Sequence, residues 1–299
     1  MYSTPLGNAL AYKQIEAATL LITHGANVNS MDGPGYYGES YLHLFKHDID
    51  VVRLLLDYGA DPNISCINTD YVLMCLACEG DKYIDIIKLL IDYGADLNRQ
   101  YGGETAIYIA IKYNQVNTLK LLLASGADID AVEGFIKHQP WNISRECAEV
   151  LIDHGLSADN IDRMLKAAFK HGRSHIIKLF IDKGIDIDHI ASDGSSLMHL
   201  TTNTSTVELL IREGYDINAK DNDGNTRLHT VIKPDYDISL LQGLLANNAD
   251  INIANNDGHT PLNLASNMGI QSAIITLLDH KDDIEPPLAN MPLRSLIYC

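Results

Sequence analysis

The sequence predicts an all-α protein, a solenoid of stacked helix-turn-helix units. Three observations predict it: a Gly-Ala-Asp-x-Asn phrase returns every 29 to 35 residues, a leucine- or isoleucine-rich stretch precedes it, and a turn rich in Asn, Asp and Gly follows it. A period of about 33 residues indicates one small unit whose copies bury their apolar faces against one another. The phrase is clearest at Gly25, Gly59, Gly94 and Gly126, and weaker at Gly155, Gly184, Gly214 and Asn248.

The first helix of each unit is predicted to begin at a Thr-Pro-Leu sequence about 21 residues upstream of the glycine. The two complete copies start at Thr4 and Thr260. Threonine is a good N-cap, and proline is tolerated at the first helical position because that residue needs no N–H donor. These positions therefore predict helices that start at Pro5 and Pro261.

The second helix of each unit carries too many apolar residues for a narrow stripe. Residues 51–56 and 86–91 are examples, and we expect such helices to be packed along most of their length. The following glycines, such as Gly59 and Gly94, predict a left-handed residue at the helix end. The polar turns that come next predict hairpins between units.

The two motifs in fixed phase resemble the T-P-L-H-x-A signature of the ankyrin repeat over about residues 2 to 284. The resemblance implies an ankyrin-repeat solenoid with β-hairpin-like fingers between its units. His43, His199 and His229 match the signature histidine, which in that family bonds to the backbone and ties one unit to its neighbour. The resemblance also implies a non-enzymatic protein-binding module, with no catalytic residue, no cofactor and no metal.

The predicted array covers residues 1–284 in about nine units, and a short tail covers 285–299. The units are degenerate around residues 131–157, where Pro140 should shorten the first helix and two turns are about four residues shorter than the others. We expect a gap in the row of fingers there. The unit from Ser196 to Gly214 lacks about three residues between its helices.

The charge balance limits the classes of partner. The chain has 22 basic and 39 acidic residues, for a net charge of −17. Such a field repels phosphate backbones and anionic membranes, so we expect no nucleic acid and no membrane partner. Aspartate is also favoured at turns and caps, which explains part of the excess. The remainder favours a protein partner with a basic surface.

The spacing of the five cysteines does not match a disulfide framework of the kind found in secreted proteins, and no leader or membrane span is visible. We therefore expect a reduced, cytoplasmic monomer. Abundant Ile, Asn, Asp and Tyr are typical of AT-rich genomes, including those of many viruses and intracellular bacteria. This composition favours a host-directed interaction protein in the host cell cytoplasm.

Three motifs could indicate other chemistry. Residues 33–38 match the dinucleotide fingerprint, yet they follow a helix instead of a strand, so we interpret them as an enlarged finger. Cys75 and Cys78 lack the second ligand pair that a zinc site needs, and we expect them in the core. Residues 221–224 begin like a calcium loop, but Ala219 and Thr230 stand where acidic ligands belong, so a hairpin tip is predicted.

Finger tips and exposed ends of first helices line the concave face in ankyrin proteins, and tyrosines there are good interface anchors. The alternative interpretation is that these tips are merely solvated. The predicted partner-binding residues are Tyr36, Tyr37, Glu39, Tyr101, Glu104, Lys112, Tyr113, Asp193, Asn222, Asp223, Asn256 and Asp257.

Two further function classes remain open at this stage. Some ankyrin arrays precede a ubiquitin-ligase adaptor box, and residues 292–299 faintly resemble the start of one, although they are far too short. A substrate-recognition adaptor of a ubiquitin ligase is therefore the alternative function. An enzyme is the third class, and a pocket with convergent polar side chains would favour it.

Overall fold

The computed structural model describes residues 4–31, 39–65, 71–139, 142–188, 194–234 and 237–280. Within these residues the protein is all-α, and a single antiparallel bridge, between Tyr101 and Glu104, is its only β pairing. The chain divides into two compact parts, an N-terminal body (residues 1–161) and a C-terminal body (residues 162–299). Tyr36, Tyr37, Pro140, Asp193 and the tail 285–299 lie outside the described residues.

The described residues of the N-terminal body form helix pairs in chain order. They are α1 (Pro5–Ala11) with α2 (Ile15–Thr23), α3 (Tyr41–Leu44) with α4 (Ile49–Asp57), α5 (Val72–Glu79) with α6 (Ile84–Asp92), α7 (Ala106–Lys112) with α8 (Val116–Ala124), and α9 (Glu133–His138) with α10 (Arg145–Asp153). Short 3₁₀ turns, Asp81–Tyr83 and Ile129–Val132, precede α6 and α9.

The C-terminal body repeats the arrangement. It contains most of α11 (Ala158–Lys170), α12 (Ser174–Asp182), a 3₁₀ helix (Leu197–Leu200) with α13 (Thr204–Arg212), α14 (Arg227–Val231) with α15 (Ile238–Ala246), and α16 (Pro261–Asn267) with α17 (Gln271–Leu278).

Helices of the same kind contact one another from unit to unit. First helices pack on first helices, as α5 does on α7 and α14 on α16. Second helices pack on second helices in the order α2, α4, α6, α8 in the N-terminal body and α13, α15, α17 in the C-terminal body. The core lies between these two layers. Val52, Leu55, Ile87, Leu90 and Leu122 have no exposed surface. The predicted all-α solenoid is therefore confirmed.

The predicted helix boundaries are confirmed where the structure describes them. Thr4 and Thr260 are N-caps with proline at the first helical position, and the Thr4 hydroxyl accepts a hydrogen bond from the Gly7 N–H at 3.1 Å. Gly59 follows α4 with φ of 85°, in the left-handed region. Asn248 takes the same place after α15 with φ of 62°, as asparagine tolerates better than most residues.

The irregular units differ locally from the rest. Helix α9 has only six residues and ends at His138, and α11 begins at Ala158, three residues after Gly155. In the unit that starts at Ser196, the first helix is a single 3₁₀ turn. The guanidinium of Arg227, in the next unit, donates to the Thr201 carbonyl of this short unit at 2.5 Å and to the Thr230 hydroxyl at 3.1 Å.

Burial lowers the pKa of Arg227 to about 10. Its Nε atom is buried without a hydrogen-bond partner. A buried, unsatisfied N–H destabilises the fold, and the two hydrogen bonds of the guanidinium oppose that loss. The residue therefore has a structural role, and its Nε is closed to solvent.

Candidate interaction surfaces

The finger before α7 is a tight hairpin. Tyr101 and Glu104 exchange both backbone hydrogen bonds at 3.0 Å, and Gly102 and Gly103 have φ of 59° and 85°. Two consecutive positive φ angles are typical of the type I′ turn, whose twist matches that of a hairpin. The backbone of this finger is consequently fixed before any partner binds.

Side chains from this finger and from α7 form a cluster, here called the tyrosine surface: Tyr101, Glu104, Tyr108, Lys112 and Tyr113. Lys112 Nζ lies 2.8 Å from Glu104 Oε1, and 5.8 Å from the ring centres of both Tyr108 and Tyr113. The bond to Glu104 raises the pKa of Lys112. Tyr101 and Tyr113 are 43% and 48% exposed. The tyrosine surface thus presents tyrosine rings around the ion pair of Lys112 and Glu104, whose charges cancel.

Tyr108 was missed by the sequence-based prediction. Its ring is half-buried and meets Phe135 edge-on at 5.3 Å between centroids. Its position four residues before Lys112 on one helix face is a signal that could have identified it, because residues so spaced are neighbours.

The two described fingers of the C-terminal body stack directly on each other. Each is closed at its base, by Asp221 N–H to Asn225 O at 2.9 Å and by Asn255 N–H to His259 O at 3.0 Å. Asn256 joins them: its backbone N–H donates to the Asp223 carbonyl and its side-chain amide to the Asn222 carbonyl, both at 2.9 Å. The hairpin tip predicted at 221–224 is confirmed.

Asn222, Asp223, Asn256 and Asp257, here called the acidic fingers, are all exposed. These bonds between the fingers use the backbone carbonyls of Asn222 and Asp223 and both the backbone N–H and the side chain of Asn256. The Asp223 and Asp257 side chains are thereby presented to solvent on a fixed backbone. Gly224 allows this close approach, because a Cβ there would lie 2.5 Å from the Asn256 side chain.

Two of the three predicted signature histidines, His199 and His229, anchor the finger bases as predicted, whereas the contact described for His43 is to Ser40 of its own unit, 2.7 Å from Nδ1. His229 Nδ1 lies 3.1 Å from the Thr226 backbone nitrogen, and Nε2 lies 3.0 Å from the His259 carbonyl of the next unit. His199 bonds in the same way to Ser196 and to the Asn225 carbonyl. Since Nδ1 accepts a hydrogen bond, Nε2 carries the hydrogen and donates it. Burial lowers the pKa of His229, which favours this neutral form.

Of the four remaining predicted surface residues, the structure describes only Glu39. Glu39 is half-exposed and directly precedes Ser40, the N-cap of α3. Tyr36, Tyr37 and Asp193 lie outside the described residues and stay sequence predictions. The grouping of the described residues into surfaces was not predicted, because it depends on which fingers contact one another.

Cys75 and Cys78 are less buried than the core positions that the sequence predicts for them. Cys75 and Cys78 on α5 are half-buried, whereas Leu76 and Ala77 between them have no exposed surface. Cys147 is buried, and desolvation raises the pKa of its thiol. In the part of the chain that the structure describes, no three His, Cys, Asp or Glu side chains are grouped as a metal site would require. No helix described here is both long and apolar enough to cross a membrane.

Comparison with known proteins agrees with the geometry. The sequence model of ankyrin repeats (three copies) matches residues 42–133 and 196–287, together more than half of the chain. The chain belongs to the ankyrin-repeat family. An ankyrin repeat domain from Acinetobacter baumannii has a similar fold, with a TM-score of 0.50 and 22% identity, over 61% of this chain and 98% of that domain.

Curated relatives are similar to this chain over parts of their own length. The human transient receptor potential cation channel subfamily A member 1 is 28% identical over 80% of this chain and 26% of the channel. Ankyrin repeat and SOCS box protein 6 of Pongo abelii is 32% identical, over 43% of this chain and 27% of that protein. Putative ankyrin repeat protein R599 of Acanthamoeba polyphaga mimivirus is 28% identical, over 48% and 39%.

This ankyrin chain therefore spans between about a quarter and two fifths of the relatives it matches. The ankyrin-repeat fold is in general a non-enzymatic scaffold that binds other proteins, and protein–protein interaction is the function that the family supports.

Proposed function

We propose that this ankyrin-repeat protein binds a basic segment of a partner protein through the acidic fingers, Asn222, Asp223, Asn256 and Asp257. The stacking of the two fingers through Asn256 supports the proposal. Because both backbones are already fixed, a partner that contacts Asp223 and Asp257 loses little conformational entropy of the protein. The net charge of −17 also attracts basic segments at long range.

The tyrosine surface is proposed as a second contact area, in the N-terminal body. Exposed tyrosines supply a large amphipathic area with few rotatable bonds, and they are enriched among residues that dominate interface energies. Glu104 neutralises Lys112, so this area should contribute apolar and hydrogen-bonding contacts more than charge. Glu39, Tyr36, Tyr37 and Asp193 extend the proposed surfaces on the strength of the sequence alone.

The proposal is tested by comparing two variants with the same change in charge. Asp223→Asn/Asp257→Asn removes the two finger carboxylates. Glu208→Gln/Asp279→Asn is the control, since both of its residues are exposed and lie outside the fingers. Proteins captured from the natural cell by the unmodified chain would be quantified by mass spectrometry with each variant as bait.

We expect the finger variant to lose basic partners that the control retains, and added salt to weaken their capture, because exposed charge pairs are screened. Equal capture by both variants would show that the acidic fingers are not the binding surface. Unchanged melting temperatures would verify that neither variant is misfolded.

The proposed setting is a host-directed factor of a virus or an intracellular bacterium, acting as a cytoplasmic monomer without nucleic acid or membrane partners. The similarity to the mimivirus protein and the composition rich in Ile, Asn, Asp and Tyr support it. Expression in a host cell, followed by identification of captured host proteins, tests this setting. Capture confined to proteins of the source organism would contradict it.

A ubiquitin-ligase adaptor is the second candidate, favoured by the 32% identity to ankyrin repeat and SOCS box protein 6. An adaptor must bind ligase scaffold components as well as a substrate. Co-purification of such components with the full chain would support this candidate, and their absence from a complex that still contains the partner would exclude it.

A further inference from the structure

The outward surfaces of the last two second helices carry no charge. Of the nine second helices that the structure describes, α15 and α17 are the two without an Asp, Glu, Lys or Arg residue. Each of the others has at least one such residue, in a chain with a net charge of −17. We call the exposed residues of these two helices the uncharged face: Ile238, Ser239, Gln242, Ala246, Gln271, Ser272 and Ile275.

Ile275 departs from the repeat pattern on this face. It is the fifth residue of α17, and it is 60% exposed. The fifth residue of every other second helix that the structure describes is polar or charged: Thr19, Arg53, Lys88, Lys120, Glu149, Lys178, Glu208 and Gln242. An isoleucine therefore stands at a position where the other units have side chains that water solvates well.

The two exposed isoleucines belong to one continuous surface. Ile238, which is 40% exposed, and Gln242 are four residues apart on one side of α15, and Gln271 and Ile275 are spaced in the same way on α17. Helix α15 packs on α17, and packed helices lie about 8–10 Å apart. Single exposed apolar side chains are common on proteins. An uncharged area that spans two helices is instead typical of a surface that another apolar segment covers.

The sequence that follows α17 supplies such a segment. Residues 279–287 are polar, and five of the nine are charged. Residues 288–299, here called the apolar segment, have the opposite composition: eight of the 12 are apolar, and Arg294 is the one charged residue. The apolar segment therefore matches the uncharged face in chemistry, and both differ in the same way from the rest of this acidic chain.

The linker is long enough for the apolar segment to reach the face. Helix α17 has eight residues, which makes it about 12 Å long. The nine residues 279–287 can span up to about 30 Å when extended. The apolar segment can consequently return along the outer side of α17 to Ile275 and continue to Ile238 on α15.

We propose that the uncharged face is the docking surface of the apolar segment of the same chain. Ile275 and Ile238 are the apolar contacts that this segment covers. The surface lies on second helices, apart from the acidic fingers, so the proposal goes beyond the basic partner proposed above and does not depend on it. A protein that recruits residues 292–299, as the ligase-adaptor hypothesis requires, would have to displace them from this surface.

A second copy of the chain and an external partner are the other possible occupants. The linker holds the apolar segment at an effective concentration on the order of millimolar near the face. At ordinary protein concentrations the chain's own segment therefore outcompetes a second copy. An external partner would also have to displace it.

The experiment is a double-mutant cycle on the full chain, followed by thermal unfolding. Ile275→Gln introduces the residue type that α15 has at the same position, Gln242. The second change is made in the apolar segment, Leu293→Gln/Leu296→Gln/Ile297→Gln, here called the segment variant. Leu20→Gln on α2 is the matched control, because Leu20 is also 60% exposed and lies in the other body.

We expect Ile275→Gln to lower the melting temperature of the unmodified chain by about 2–4 °C, because a covered isoleucine is lost. In the segment variant the same substitution should change it by less than about 1 °C, since Ile275 is already exposed to water there. Leu20→Gln should have equal effects with and without the changes in the segment.

Two outcomes would overturn the proposal. Equal effects of Ile275→Gln in the unmodified chain and in the segment variant would show that the apolar segment does not cover this residue. A dimer in analytical ultracentrifugation that Ile275→Gln dissociates, while the segment variant retains it, would assign the uncharged face to a second copy.

Discussion

The side-chain amide of Asn63 holds the backbone of Asp96 in the next unit. Asn63 Oδ1 accepts the Asp96 N–H at 2.6 Å, and Asn63 Nδ2 donates to the Gly94 carbonyl at 3.0 Å. Asn29 bonds identically to Asp61 and Gly59. The last Asn of the Gly-Ala-Asp-x-Asn phrase is thus a clip between units, which explains why an amide recurs there.

The clip changes where the phrase ends in aspartate. A carboxylate cannot donate to a carbonyl, so it can replace only half of the clip. Asp188 instead accepts the Tyr215 hydroxyl at 3.0 Å, and burial, together with this bond to Asp188, raises the pKa of Tyr215 to about 12. The last position of the phrase therefore makes two kinds of contact. An asparagine there bonds to the backbone of the next unit, whereas Asp188 accepts a side-chain hydroxyl.

Asn63→Ala is expected to lower the free energy of unfolding by about 1–2 kcal/mol, because two hydrogen bonds between units are lost. Asn63→Asp should lower it comparably, since the donor is lost and a charge is placed beside a carbonyl. Urea denaturation measures the change. Gln100→Ala, at an exposed amide in the same body, is the control and should change stability by less than about 0.5 kcal/mol. A loss as large in the control would refute the clip.

Leu55→Ala and Leu122→Ala are each expected to lower the free energy of unfolding by about 2–5 kcal/mol, because both side chains are fully buried between helices. Leu20→Ala on α2, at a position that is 60% exposed, provides the same chemical change without a cavity. An unchanged denaturation midpoint for Leu55→Ala would show that α4 does not pack as described.

Gly224→Ala and Gly258→Ala separate backbone strain from contact between fingers. Both glycines have positive φ, 76° and 80°, so each substitution should lower the free energy of unfolding by about 1 kcal/mol. Only at Gly224 would the new Cβ meet another residue, with Asn256 N at 2.8 Å, whereas Gly258 has open space. Gly224→Ala should therefore destabilise more in thermal unfolding. Equal effects would mean that the fingers are not stacked in solution.

Stability should fall in mild acid because of His229. Burial lowers the pKa of this residue below its unfolded value of 6.5, so the unfolded chain binds a proton more readily than the folded one. Its contribution is fully present above pH 6.5 and is lost as the pH falls from there towards the folded-state pKa.

His229→Gln should therefore show a smaller stability loss between about pH 8 and about pH 5.5 than the unmodified chain in urea denaturation. The difference between the two proteins at the higher pH measures the lost hydrogen bonds, and serves as the reference for the change at the lower pH. Parallel pH profiles for the two proteins would contradict the assignment.

The sequence by itself determined the fold and the positions at which its helices begin and end. The period of the glycine phrase predicted the helix pairs, Thr4-Pro5 and Thr260-Pro261 predicted helix starts, and the signature matches at His199 and His229 predicted bonds between units. These features are local, because caps, turns and apolar periodicity depend on residues only a few positions apart.

Only the tertiary structure decided which side chains share a surface. Asn256 reaches back to Asn222 and Asp223 of the preceding finger, and Tyr108 joins Lys112 and Tyr113 by its orientation on α7. The half-buried positions of Cys75 and Cys78 depend equally on how units stack. Stacking turns one position per unit into a continuous surface, and no local pattern in the sequence encodes which of those positions face solvent.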